Sequence, residues 1–331
     1  MHDVSEDPVS QSPSRIWNGV RSLLRFGMWF CIFTYLLSFF GKLFFVAELL
    51  TNFRFHFLVL FVFLVLLSRL VKASRFLVVC LVLATIWTGW ESGRIYLPAV
   101  QPLAGDRKIR VMSYNVLATN WEFQPSIDEV RLHDPDVVAV LEYANMWHQS
   151  FDALNDDYPY QHRAPRWHGY GVAIFSKFPL VDSESVQLTE DEIDNPAAVM
   201  TMQIGDKKLR LVAVHVMSPT NRFRLELRNR QFEEIAAYIN AESVDTILVG
   251  DMNCTPSSYY LSDLIRETGL RDSRQGFGRQ PSWPRWAPPL AVSIDHVLVS
   301  DSIHVHDRFL GASRGSDHRP VIVDVSIGKP K

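Results

Sequence analysis

The sequence predicts an α/β domain, sheets with helices outside them, carried behind an anchor of three transmembrane helices. Two contrasts and a count lead there. Apolar runs dominate residues 1–98, whereas the rest alternates short β-branched runs with stretches of helical periodicity. The charge divides at the same place, +4 over residues 1–98 and −7 over the remainder, which together make the net −3. Three cysteines make no disulfide framework, since Cys31 and Cys80 fall in the apolar runs and only Cys254 lies beyond them. Charged residues at 21% and hydrophobic ones at 47% exclude a disordered, collagen-like or low-complexity chain. An acidic domain has no overall field to attract polyanions, so nonspecific nucleic-acid binding through bulk charge is disfavoured.

Residues 1–25 read as a tail, polar at first, with Ser10, Ser12, Pro13 and Ser14 close together. An apolar run then extends from Phe26 to Leu50, broken by Lys42 and Glu48. A second runs from Phe53 to Leu67 between Arg54 and Arg69, and a third from Phe76 to Trp90, stopping at Glu91. A helix crossing the hydrocarbon core needs about 17–25 apolar residues, fewer where flanking Lys or Arg side chains snorkel. Spans are therefore expected at about 26–48, 53–71 and 76–96. Helices of a soluble bundle would keep a polar face, and these have none. Three runs, with no small-residue site after the first, also argue against a cleaved signal peptide.

Loop charge sets the expected orientation. Arg15, Arg21 and Arg25 precede the first run, Arg69, Lys72 and Arg75 separate the second from the third, and the first loop offers only Arg54. The positive-inside rule puts the N-terminus and the second loop in the cytoplasm. Everything after Trp90 then lies on the far side of a plasma or inner membrane, with Trp87, Trp90 and Tyr96 as an aromatic belt.

A linker rich in breakers follows over 98–107, and the domain itself is expected over 108–328. Strands are read at Ile109–Asn115, Val137–Glu142, Gly171–Ser176, Leu209–His215, Thr246–Asp251, Ile294–Ser300 and Val321–Ile327. Helices are read at Ser126–His133, around Trp147–Leu154, at Arg222–Asn240 and at Ser257–Thr268. The long one places Leu225, Phe232, Ile235 and Ile239 on one face.

Six of these strands begin or end beside groups with metal or acid–base chemistry: Asn115, Glu142, His215, Asp251 with Asn253, Asp295 with His296, and Asp317 with His318. Singly, each has an ordinary explanation, because turns favour Asp and Asn. Glu142 fits that poorly, since it closes a wholly apolar strand and is costly to bury unpaired. Asp251 and Asn253, two residues apart, share one face. Six coincidences of this kind point to one cleft.

Tyr114-Asn115-Val116, Leu141-Glu142, Gly250-Asp251-Met252-Asn253, Ile294-Asp295-His296 and Ser316-Asp317-His318-Arg319-Pro320, in this order and spacing, resemble the motifs of the endonuclease/exonuclease/phosphatase superfamily. The resemblance covers about 108–327. It implies a DNase I-like four-layer α/β sandwich, two packed mixed sheets with outer helices and an active site at one edge. It also implies roles. Glu142 is the main metal ligand, assisted by Asn115, with Asp317 on the metal side. Asp251 orients or deprotonates the attacking water, Asn253 holds the phosphate or the metal's shell, and His318 is the acid–base or phosphate-contacting histidine, oriented by Asp295. His215 matches a histidine that faces the phosphate. Carboxylate and amide oxygens suit Mg2+ or Mn2+, whereas zinc would call for more His and Cys.

Some positions depart from the pattern. Leu117 stands where certain members carry a further acid, and His296 where an aromatic is common; His296 reads as a packing residue. Cys254 reads as a small packing residue rather than a nucleophile. Asn221 and Arg222 are candidates to reach substrate from their loop, Trp286 to line its groove, and Trp283 to be core. The expected function is a membrane-anchored phosphoesterase acting on phosphodiester or phosphomonoester bonds of nucleic acid, phospholipid or a small phosphoester, with no obligate protein partner. The alternative is a catalytically inactive membrane-tethered binding module of the same fold, disfavoured by the full complement of site residues.

Overall fold

The computed structural model describes residues 13–189 and 193–328, so the first twelve residues of the expected tail lie outside it. The apolar runs beyond the linker become strands of two sheets. One contains β1 (Ile109–Asn115), β2 (Val137–Leu141), β3 (Tyr160–Ala164), β4 (Val172–Ser176), β11 (Ile303–Leu310) and β12 (Val321–Ile327), in the order β11-β12-β1-β2-β4-β3. The other contains β5 (Leu180–Gln187), β6 (Pro196–Ile204), β7 (Lys207–His215), β8 (Thr246–Asp251), β9 (Arg271–Asp272) and β10 (Asp295–Val299), in the order β5-β6-β7-β8-β10-β9. β1 and β2 are parallel, as are β7 and β8. Parallel neighbours need a crossover, supplied by α5 (Phe123–His133) and α7 (Arg222–Asn240).

Alternation along each strand builds the layers. Val111, Ala139, Leu211, Val249 and Val297 fill the space between the sheets. Their neighbours Met112, Val138 and Val140 pack outward against Val130 of α5 and Trp147 of α6 (Asn145–Ser150). On the other side, Val212 and Leu248 meet Phe232 of α7 and Leu261 of α8 (Tyr259–Thr268). Each such side chain contributes about 1.5–3 kcal/mol by leaving water. The result is helix, sheet, sheet, helix: the four-layer sandwich expected.

The same alternation fixes the site. Asn115, His215, Asp251 and Asp295 share the parity of Val111, Ala213, Val249 and Val297, so they continue the inner faces at one edge. His215 lies opposite Asp251, and Asp251 opposite Asp295, in the strand registers. A slip of one residue would turn any of them outward.

The N-terminal helical segment consists of α1 (Pro13–Leu37) with a short 3-10 turn to Phe40, α2 (Phe45–Thr51), α3 (Arg54–Leu70) and α4 (Arg75–Gly93). Arg15–Phe40 and Arg75–Tyr96 are each long and apolar enough to cross a membrane; α2 and α3, bent by 74°, make a third candidate together. Met28, Phe61, Leu77 and Leu81 pack between these helices, while Phe33, Leu66, Leu83 and Ile86 face outward. The first helix differs from the expected bounds: it starts inside the tail segment and ends before Lys42 and Glu48. Both charges are partnered by the α/β domain instead of lying within that apolar helix. Lys42 pairs with Asp263, and Glu48 pairs with Arg228 at 2.9 Å, both side chains of that second pair being 1% exposed. At the opposite end of the bundle, Arg25 donates from Nε and Nη2 to the carbonyl of Val71, at 3.0 and 2.8 Å.

Candidate active site

Backbone geometry aims the acids. Gly250 has φ 149°, and a Cβ there would stand 1.8 Å from the Val214 carbonyl oxygen, so only glycine lets β8 close on β7 and carry Asp251 to the edge. Glu142 follows the inward-facing Leu141, so simple alternation would send it outward. Its left-handed φ of 56° accompanies a turn back to the inner side, a conformation that costs of order 1–3 kcal/mol in a non-glycine residue. Asn253, at φ 47°, is of a type that tolerates this region.

The two sheets meet at Asn115. Its Nδ2 donates to Glu142 Oε1 at 3.0 Å and lies 3.3 Å from Asp251 Oδ2, while Glu142 Oε2 accepts from the Ala118 amide at 2.8 Å. Asp251 Oδ1 accepts from the Asn253 amide at 2.8 Å. Its other oxygen is 3.7 Å from Nε2 of both His215 and His318. His215 Nδ1 donates to the Gly169 carbonyl at 3.0 Å, which leaves Nε2 as its free nitrogen. His318 Nδ1 bonds Asp295 Oδ2 at 2.8 Å. Ser316 ties the turn to β1, donating to the Asn115 carbonyl at 2.7 Å and accepting from the His318 amide at 3.0 Å.

Burial and charge then separate the titrations. Burial, then the neighbouring Asp295, push Asp251 up to about 6 against the opposing pull of the two histidines. Burial alone would lower His318, but the ion pair and hydrogen bond with Asp295, helped by Asp251 and Asp317, outweigh it and raise the imidazole to about 10. Burial likewise opposes the charge of Asp295, and His318 overcomes it, holding that carboxyl below its ordinary value.

These groups open onto a cavity of about 420 Å³. Glu142, His215, Asp251, Asn253, Asp317 and His318 line it, with Asn115 and Asp295 buried behind them. Among the described residues it has no Lys or Arg in its wall. Asp317 Oδ2 accepts from Trp283 Nε1 at 2.9 Å, while its Oδ1 is buried without a hydrogen-bond partner. Three carboxylates in a cleft without Lys or Arg, one with an oxygen that has no hydrogen bond and only His318 Nε2 at 3.9 Å, fit a divalent cation. Asp251, Asp295 and His318 also offer ligand atoms within 4.8 Å of one another. Asp295 Oδ2 and His318 Nδ1 are engaged with each other, however, whereas Glu142 and Asp317 stand in the cavity wall and Asn115 lies behind them with its amide oxygen accepting from the Leu117 amide at 3.1 Å.

Three expected contacts are not brought to the cleft. Asn221 caps α7, its Oδ1 accepting from the Arg224 amide at 2.9 Å. Arg222 is 82% exposed and bonded to Glu226, a solvated helix face. Trp286 is 74% exposed and outside the cavity wall. Trp283, read as core, is half-buried and lines the cleft. His296 packs in the interior with Nε2 2.8 Å from the Cys254 carbonyl, and burial lowers it to about 4. Burial also raises the Cys254 thiol to about 12, which leaves no thiolate for nucleophilic attack. Sequence reasoning missed His168 and Tyr170, which line the cleft from a loop with no periodic signal; the Tyr170 ring lies 5.2 Å from that of His215. It also missed Asn52 and Phe53, residues between two of the N-terminal helices that form part of the wall.

A sequence model described as "Endonuclease/Exonuclease/phosphatase family" matches residues 112–318. A Klebsiella pneumoniae (strain 342) protein named "UPF0294 protein" is 25% identical over 245 residues, 70% of this chain and 88% of that one. Among solved structures, D. rerio TDP2 complexed with single strand DNA product superposes with a TM-score of 0.58 at 16% identity, over 67% of this chain and 100% of that chain. Sphingomyelinase C from Streptomyces griseocarneus does so with a TM-score of 0.50 at 19% identity, over 66% and 99%.

Proposed function

The chain belongs to the endonuclease/exonuclease/phosphatase family of metal-dependent phosphoesterases, and from that premise we propose that it is an integral membrane phosphodiesterase whose substrate is presented at the membrane surface. The acidic cleft, with three carboxylates and no Lys or Arg in its described wall, carries the reading. A divalent cation would offset these carboxylates and let a phosphate approach beside His318.

Glu142 and Asp317 would hold Mg2+ or Mn2+, with Asn115 steadying Glu142 through the bond from its Nδ2. When bound, the ion neutralises the phosphoryl oxygens and stabilises the charge that develops on them. Asp251, balanced near pH 6, takes the proton of the attacking water. His318 stays protonated at neutral pH and presents Nε2 to the phosphate or the departing oxygen, while Asp295 fixes its ring. His215 offers Nε2 to the same space. Asn253 binds the Val216 carbonyl through Nδ2 at 2.9 Å and keeps its amide oxygen for the cation's water shell.

The catalytic residues serve the phosphate and do not choose the leaving group. TDP2, complexed with DNA product, and sphingomyelinase C share the fold, so nucleic acid and phospholipid both fit it. Asn52 and Phe53 favour the second, because they bring the anchor to the cleft itself.

Glu142→Gln keeps the side chain's size but removes a charge from the ion. Turnover of a chromogenic phosphodiester by the full-length protein should fall most at limiting Mg2+ and recover in part as Mg2+ is raised. Activity that survives full chelation by EDTA contradicts the mechanism outright. For the topology, a reporter fused after Lys331 is expected to be active outside the cytoplasm and one inserted at Lys72 inside it. Exchanged outcomes mean inverted insertion or a different number of spans.

A further inference from the structure

A second cavity, of about 410 Å³, lies on the seam between anchor and catalytic domain. It shares Asn52 and Val292 with the wall of the cleft. Its charge is the reverse of the cleft's: Arg54 and Arg94 from the anchor and Arg274 and Arg279 from the domain face one carboxylate, Glu91. Two of these cations are compensated, Arg54 by Glu91 at 3.1 Å and Arg274 by Asp272. Among the described residues, Arg94 and Arg279 have no carboxylate partner. Arg279 lies 3.5 Å from the centre of the Phe55 ring, with one bond to the Ala291 carbonyl at 2.5 Å. Burial depresses its pKa, the sign of a charge short of compensation. Arg54 Nε is buried without a hydrogen-bond partner.

The other side of the chamber is apolar. Phe55 and Ile95 line it where α3 begins and α4 ends, and Trp90, Tyr96 and Leu97 are exposed beside it. A ligand matching both sides is anionic at one end and hydrocarbon at the other. Guanidinium groups bind phosphate oxygens through paired N–H donors, more strongly where water is excluded. We propose that this chamber holds the phosphate head group of an anionic membrane lipid, with its chains along the outward faces of α3 and α4. The site rests on the reading of these helices as membrane spans and is independent of hydrolysis.

The test uses full-length protein in lipid nanodiscs, with spin-labelled phosphatidylglycerol or phosphatidylcholine as probe. Motional restriction of the label reports occupancy. Phosphatidylglycerol is expected to be held in preference to phosphatidylcholine. Arg279→Gln and Arg94→Gln should each weaken that hold about fivefold, as expected for one cation near the membrane surface. Arg94 is exposed, so its variant folds even if Arg279→Gln does not, and its hydrolysis of a soluble diester should be unchanged. Inorganic phosphate should not displace the lipid. Equal restriction of the two lipids, indifference to the Arg94 change, or displacement by inorganic phosphate overturns the proposal. Carbonate extraction of wild-type membranes tests the spans separately, so failure of the anchor reading gives a different result from failure of the lipid site.

Discussion

His318→Ala and Asp295→Ala should each lower the rate on a soluble phosphodiester by about 10²-fold or more, the scale of positioned acid–base catalysis. The double variant should be little worse than either single one, because Asp295 acts through the imidazole it holds at 2.8 Å. Asp295→Asn adds a readout that a merely structural role would not move. It keeps the shape but removes the charge that raises His318, so the alkaline limb of the pH–rate profile should shift to lower pH. Losses that multiply fully in the double-mutant cycle, or an unmoved limb in Asp295→Asn, would falsify the pairing. Circular dichroism of each variant is needed alongside, since a buried pair that loses one partner also destabilises its surroundings.

The second large effect lies at the seam. Glu48→Gln leaves the Arg228 guanidinium charged and sealed from water, and breaking a buried pair this way costs about 3–5 kcal/mol. Arg228 also reaches the Asn253 carbonyl at 3.4 Å, and Ser258 donates to Glu48 Oε1 at 2.5 Å, so the disturbance passes into the strand-end loop that holds Asp251. Thermal unfolding should show the loss, together with reduced turnover. Deleting residues 1–97 should be worse, because Asn52 and Phe53 leave the cleft wall as well. Replacing Glu48 and Arg228 together by Met should recover most of the stability, as apolar replacement of a buried pair often does. A Glu48→Gln protein as stable as wild type, or a fully active 98–331 fragment, shows the contact to be dispensable.

What the sequence made legible follows from burial. Ile109–Asn115, Thr246–Asp251 and Val321–Ile327 are strands covered on both sides, so their apolar runs have the strands' own limits. β5 is exposed along most of its length, and its Leu-Val-Asp-Ser-Glu-Ser-Val-Gln carries no apolar run to find. β6 is buried yet rich in Ala and Met, which lack the β-branched signature, and β11 lies at a sheet edge with two histidines and an Asp-Arg pair inside it. The site residues at strand ends were visible because acids after apolar runs are conspicuous. Asn221 and Arg222 follow a loop that does reach the cleft at Ser218–Thr220, but the helix begins there, so Asn221 caps it and Arg222 turns to solvent and Glu226. Lys42 and Glu48 were read as blemishes in a span because their partners, Asp263 and Arg228, lie about two hundred residues away. No periodicity carries that information.

The buried Glu48–Arg228 contact also limits how this protein can be rebuilt. A domain joined to preceding helices by a linker alone is a module, and foreign helices can be substituted for its own. Here the N-terminal helices supply the counter-ion for a guanidinium inside the domain and two side chains of the cleft wall. A chimaera carrying unrelated helices must provide an acid where Glu48 stands and fill the places of Asn52 and Phe53, so the two parts are exchangeable only together.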